Sequence, residues 1–182
     1  MASVKAQTVA VEHLVWMSKP SDELNPGDTS RACNVLRNMA STEWVSLIQD
    51  DDLLLPYHVE VLAPYLDTRE DVLYTYCTTK GTPRVDVTGW SGPQLVSELE
   101  TRNLIMATAT IRRSALERVG GWEEDYDVAS HRFASGFGWE DWDLWYRMAF
   151  SGCRFRCIPI ETWTYRTGDW KRNSSVIEKA DA

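Results

Sequence analysis

Two short runs of carboxylates carry most of the chemistry this sequence can do. Asp50, Asp51 and Asp52 stand in succession behind the apolar run Trp44 to Ile48. Adjacent like charges repel, so three together favour a cation among them. Oxygen donors suit Mg2+ or Mn2+, which keep open positions for phosphate oxygens. The plain alternative is a solvated acidic turn before the next helix. The second run is Glu140, Asp141 and Asp143 within Gly138-Trp-Glu-Asp-Trp-Asp143, at the start of a helical pattern. Acids at a helix start also answer the helix dipole. That accounts for Glu140 or Asp143, and less well for Trp139, Trp142 and Trp145 crowding the same turn. Indole faces stack on sugar C–H surfaces, and apolar walls raise the pKa of a neighbouring carboxylate. A carboxylate so placed can act as a general base. Core packing is the competing use of any one of these tryptophans.

The elements that must position these groups alternate. Thr8 to Met17 has a strand pattern, and Ser18 to Asp28 is a polar loop with Pro20, Pro26 and Gly27. Apolar residues at helical spacing predict a helix over Ser30 to Ala40. Trp44 to Ile48 is a short buried strand ending in the aspartates, and Pro56 opens a helix to about Leu66. Asp71 to Cys77 is a strand, and Gly81 to Gly89 a hairpin or loop. Ser91 to Arg102 is a helix, Ile105 to Ile111 a strand, and Ser114 to Val119 a short helix stopped by Gly120 and Gly121. Glu123 to Gly138 has no period and reads as a loop; from position alone, His131 and Arg132 in it could close over a ligand as a lid. Glu140 to Ser151 is a helix capped by Gly152, and Arg154 to Ile160 and Thr162 to Arg166 are strands. The tail from about residue 167 is polar. Strands alternating with helices predict an α/β fold with a mostly parallel sheet flanked by helices.

At 182 residues the chain predicts one domain, 1–182. A net charge of −8, from 19 Lys+Arg against 27 Asp+Glu, argues against nucleic-acid binding, which needs a positive surface. No apolar run approaches the ~18 residues of a membrane span, and residues 1–8 offer no apolar signal-peptide core. Cys33, Cys77, Cys153 and Cys157 form no CxxC pair, so free thiols in a reducing, cytoplasmic setting are expected. His13, His58 and His131 are scattered, and structural roles are expected for them. Arg112 and Arg113 are expected at a solvated strand end rather than on a diphosphate.

Taken in order, several segments resemble one family. Asn34 to Pro56, with an asparagine-bearing helix, a hydrophobic strand, the aspartates and a following proline, resembles the middle of family 2 glycosyltransferases, which have the GT-A (Rossmann-like) fold. Arg112 to Trp122 resembles that family's segment before the acceptor site. Gly138 to Ala149 resembles its ED motif and following helix, and Tyr165-Arg166 its closing pair. The resemblance covers roughly residues 27 to 166. It implies an inverting transfer from a UDP- or GDP-sugar donor to a carbohydrate or other hydroxyl acceptor, with Mn2+ or Mg2+ as cofactor. Asp51 would hold the metal, flanked by Asp50 and Asp52. Asp141 would be the general base, supported by Glu140. On the substrate side it places Gln49, Trp122, Trp139, Trp142 and Arg166.

Three departures accompany it. Gln49 stands where the family often has the first aspartate of its motif. Thr167, Gly168 and Asp169 follow the tyrosine–arginine pair where a histidine is common. The strand, helix and strand that hold the nucleotide base in the family are missing, so the fold is expected to be N-terminally shortened, with Thr8 to Met17 in the place of the third strand. Base recognition would then fall to a shortened pocket, to a second copy or partner chain, or to nothing. A different class of reading follows from the same facts: a GT-A-like binding or accessory module without catalysis.

Overall fold

The computed structural model describes residues 2–15, 28–49, 51–132 and 140–166. Helix α1 (Ala2–Lys5) is followed by an extended segment, and then by helix α2 (Asp28–Met39). Strand β1 (Trp44–Ser46) leads through the acidic turn to strand β2 (Leu53–Leu54). Helix α3 (His58–Leu62) continues as a 3-10 turn (Ala63–Tyr65) into strand β3 (Val72–Cys77). Then come helix α4 (Gly92–Leu99), strand β4 (Ala109–Arg112) and helix α5 (Arg113–Arg118). Helix α6 (Tyr126–His131), helix α7 (Glu140–Phe150) and strand β5 (Phe155–Thr164) complete the order.

The strands form one sheet in the order β1-β4-β3-β5-β2. Only β3 and β5 run parallel; β1·β4, β4·β3 and β5·β2 are antiparallel. The class is α/β as expected, but the mostly parallel sheet is corrected. Alternation of strand and helix gives parallel neighbours only when each crossover carries the chain back to the end of the sheet where the previous strand began. Here the connection from β3 through α4 and the irregular residues 100–108 brings β4 in reversed.

Local chemistry explains most boundaries. Ser91 caps α4, its hydroxyl accepting from Gln94 N–H at 3.3 Å, with Pro93 in the first turn. Gly152, at φ +79°, ends α7. Gly152 N–H bonds Ala149 O and Cys153 N–H bonds Met148 O, which satisfies the last carbonyls of the helix. Gly120 does the same for α5, with Gly120 N–H on Glu117 O and Gly121 N–H on Leu116 O. The two C-terminal strands expected from the sequence are one strand. Pro159 has no N–H for the ladder, and the register slips there: Thr75 pairs with Ile158, but Tyr76 pairs with Glu161.

Residues 8–15 form no strand, another correction. Thr8 N–H reaches Pro56 O, Gln7 bonds Leu55 O, and Glu12 accepts from the Ser41 backbone and hydroxyl. Val9, Val11 and Val15 are exposed, so their alternation buries no face. Residues 16 and 17 lie outside the described part. The expected loop after Glu123 contains α6, capped by Asp125, whose side chain accepts from Asp127 and Val128 N–H.

The main core lies between the β3–β4 face and the α4–α7 pair, and includes Leu95, Leu99, Leu116, Leu144, Trp145 and Met148. A smaller cluster of Leu54, Cys77 and Trp163, with Ile48, Met106 and Tyr165 against it, sits beside the acidic turn. Among the described residues no helix is long and apolar enough to cross a membrane.

Candidate active site

Pairing of β2 with β5 brings the aspartates to the chain's closing segment. Leu53 faces Thr164 and Leu54 faces Trp163, which sets Asp51 and Asp52 against Arg166. Arg166 donates from Nε to the Asp51 carbonyl, and its backbone N–H reaches Asp52 Oδ1 at 3.3 Å. Asp52 N–H closes the turn on Gln49 O at 3.2 Å. Gln49, Asp51, Asp52 and Arg166, all expected at the site, are thus gathered; Asp50 lies outside the described residues.

Asp52 is buried, and the Asp51 side chain is half-buried with no hydrogen bond among the described residues. The described residues alone hold no group of three candidate metal ligands. What is present still fits a hard divalent ion in kind: oxygen donors only, one carboxylate unengaged, on a turn braced by a guanidinium.

The second carboxylate pair opens α7. Asp141 is half-buried, accepts Trp142 N–H on Oδ1 at 2.7 Å, and accepts Asn103 Nδ2 on Oδ2 at 3.2 Å. Burial, then the charge of Glu140, push its carboxyl up to about 7, against the pull of those two hydrogen bonds. That places a proton acceptor near neutrality, as general-base work requires. Burial, helped by the charge of Glu140, also lifts the Cys33 thiol of α2 to about 12, so that thiol stays protonated.

The tryptophans do something other than expected. Trp142 is buried and donates from Nε1 to Leu99 O at 2.7 Å. Trp145 does the same to Ile105 O at 3.0 Å. Trp122 is 5% exposed and Trp142 7%, both inside the main core. Among the described residues both therefore pack in the core behind the carboxylates, whereas the sequence placed them on the substrate side. Trp139 lies outside the described residues.

Asn34 fixes the turn beneath them. Its Oδ1 accepts Trp122 N–H at 2.9 Å, and its Nδ2 donates to Trp122 O and Glu124 Oε1, each at 2.8 Å. Gly121, at φ +82°, lets α2 approach; a Cβ there would fall on Asn34 Oδ1 and Arg37 Nη1.

Asn103 is the residue that sequence reasoning missed. Its only local signal is an asparagine between a helix and a strand. It belongs to the connector that also carries Met106, which packs against the cluster of Val4, Leu54, Cys77 and Trp163. One short segment therefore carries both the Asn103 contact to Asp141 and a side chain packed on the apolar cluster beside the acidic turn.

Two further expectations are answered. Arg112 stacks on Trp44 at 4.4 Å and bonds Thr68 O at 2.9 Å, while Arg113 bonds the Ala40 carbonyl, so both brace the fold. Arg132 pairs with Asp143 of α7; the His131 side chain lies outside the described part. The four cysteines are buried and unpaired.

No protein-family model and no curated protein matches the sequence. Solved structures do. TarS 1–349 of S. aureus superposes with a TM-score of 0.55 at 16% identity, over 78% of this chain and 41% of that chain. The TarS 1–349 structure in complex with UDP gives 0.55, 16%, 79% and 41%. The mannosyltransferase PcManGT from Pyrobaculum calidifontis, in complex with GDP-Man and Mn2+, gives a TM-score of 0.47 at 17% identity, over 77% of this chain and 36% of that one. The chain thus spans about two-fifths of the TarS chain. In its fold the chain is similar to TarS 1–349, an α/β arrangement shared over 78% of this chain.

Proposed function

We propose that the chain is a metal-dependent, inverting glycosyltransferase that moves a sugar from a UDP- or GDP-sugar to an acceptor hydroxyl. The observation that carries this reading is Asp141, a hydrogen-bonded carboxylate whose pKa of about 7 suits a general base, in a glycosyltransferase-like fold. Asp141 takes the proton of the acceptor hydroxyl as its oxygen attacks the anomeric carbon from the face opposite the leaving diphosphate. Glu140 keeps the local potential negative, which holds the proton on Asp141 once taken. Asn103 and Trp142 N–H fix the carboxylate's orientation.

Asp51 and Asp52, with Asp50, would hold Mn2+ or Mg2+, which when bound offsets negative charge on the leaving diphosphate. Arg166 braces that turn through the Asp51 carbonyl. Four buried, unpaired cysteines suit a reducing, cytoplasmic compartment.

Calorimetry with UDP and GDP, with and without Mn2+, tests the reading. It predicts nucleotide binding that needs the ion and disappears in Asp51→Ala. Absence of any metal-dependent nucleotide binding would favour the other class, an accessory module with this fold and no catalysis.

A further inference from the structure

The far end of α7 carries a feature that the transfer reaction does not use. Arg118 of α5, Arg132 at the end of α6 and Arg147 of α7 converge on a shallow cleft of about 350 Å3. Among the described residues no carboxylate lines it, although the chain as a whole carries a net charge of −8. Cavities of small-molecule sites begin near ~300 Å3. Phe150 lies nine residues beyond Asp141, roughly 13 Å along the helix axis, and Asp141 itself does not line the cleft.

The countercharges lie beneath the cleft. Asp143 is wholly buried and takes Arg132 Nε on Oδ1 at 2.5 Å and Arg147 Nε on Oδ2 at 2.7 Å. Asp71, 8% exposed, takes Arg118 Nη2 at 3.4 Å. Three guanidiniums against two carboxylates leave one positive charge. Arg147 spends Nη1 on Val119 O at 2.8 Å, while its Nη2 is buried with no hydrogen-bond partner among the described residues. A buried donor without an acceptor is costly, so Arg147 serves the floor of the cleft, and Arg118 and Arg132 are the guanidiniums that solvent reaches. The rings of Tyr146 and Phe150 stack at 6.4 Å and 16°, Phe150 is 76% exposed, and Arg132 lies 5.9 Å from the Tyr146 ring centroid. The cleft therefore joins a cationic floor to an apolar wall.

We propose that this cleft binds a phosphate monoester, with Arg118 and Arg132 meeting the phosphate oxygens and the Tyr146–Phe150 pair carrying the organic body. Guanidinium forks match phosphate oxygens in pairs, and an acceptor-rich anion suits them better than a single carboxylate does.

Phenyl phosphate is the probe, with inorganic phosphate and phenol as controls, by calorimetry at low salt. Phenyl phosphate should saturate the site below about 10 mM and bind at least ~10-fold more tightly than inorganic phosphate. Phe150→Ala should bring it down to the level of inorganic phosphate, and Arg118→Gln should weaken both about tenfold. Both side chains are surface-exposed, and thermal melts check that the variants fold. Arg132→Gln gives the same test more deeply if it folds. UDP with Mn2+ should leave phenyl phosphate binding unchanged, which keeps this result independent of the transfer reaction. Absence of saturation, equal affinity for phosphate and phenyl phosphate, or undiminished binding in Arg118→Gln would overturn the proposal.

Discussion

Asn103 donates from Nδ2 to Oδ2 of Asp141 at 3.2 Å, across 38 residues of chain. The other carboxylate oxygen is held by the Trp142 N–H. Both bonds favour the ionised carboxylate, against burial and the charge of Glu140, which favour the neutral acid.

Asn103→Ala therefore raises the pKa of Asp141. The acid limb of the kcat/KM profile should move to higher pH, with activity at pH 6 falling roughly tenfold more than at pH 9. A hydrogen bond to a charged group is worth about 1.5–3 kcal/mol, enough for that shift. An unmoved limb with uniformly lower activity would make Asn103 merely structural.

His58 and Asp141 push stability with pH in opposite directions. His58 is 2% exposed, its Nδ1 lies 2.7 Å from Thr162 Oγ1, and its Nε2 has no partner among the described residues. Burial lowers it from 6.5 to about 4. The unfolded chain then binds the extra proton between those values, so stability is lost as pH falls through that window, by up to about 3 kcal/mol. Asp141 is raised from 3.8 to about 7, so the folded chain binds the extra proton, and the stability this confers is lost as pH rises. The two partly cancel in the native protein. Urea unfolding at pH 4.5 and 7 should show a steeper acid loss in Asp141→Asn and a shallower one in His58→Leu. Equal pH dependence in all three proteins would refute this balance.

Gly121→Ala tests the approach of α2 to the turn before Trp122. The backbone there is left-handed, and the new methyl group meets Asn34 and Arg37. A loss of about 1–3 kcal/mol is expected in chemical denaturation. A change below ~0.5 kcal/mol would show that α2 shifts freely.

Arg166→Ala keeps the backbone bond to Asp52 but frees the Asp51 carbonyl. Mn2+-dependent nucleotide affinity should fall by about tenfold, as when support behind a metal ligand is removed. Unchanged affinity would give Arg166 no part in setting the turn.

Much of this was readable from residues in sequence. Helix α7 announced itself through apolar spacing, its acidic first turn and Gly152, and α2 through its spacing. The two carboxylate runs stood out because repulsion between adjacent acids demands a reason. What escaped was non-local. Strand direction depends on where a crossover returns, which no window of residues records. Strand β2 is two residues long and exists because β5 offers it a ladder. The α6 helix has one short signal, the Asp125 cap. Trp122 and Trp142 looked available for a sugar because sequence does not say which face of an indole is covered. Asn103 meets Asp141 only through the packing of α4 against α7.

Transfer with Asp141 as base and a metal at Asp51 is the central proposal. The direct measurement is release of nucleoside diphosphate, coupled to glycosylated product, by the purified chain with UDP- and GDP-sugars, Mn2+ and a panel of hydroxyl acceptors. The account predicts transfer that depends on the ion, falls by about 10²–10⁴-fold in Asp141→Asn and is abolished in Asp51→Ala. Transfer that persists in both variants would contradict it.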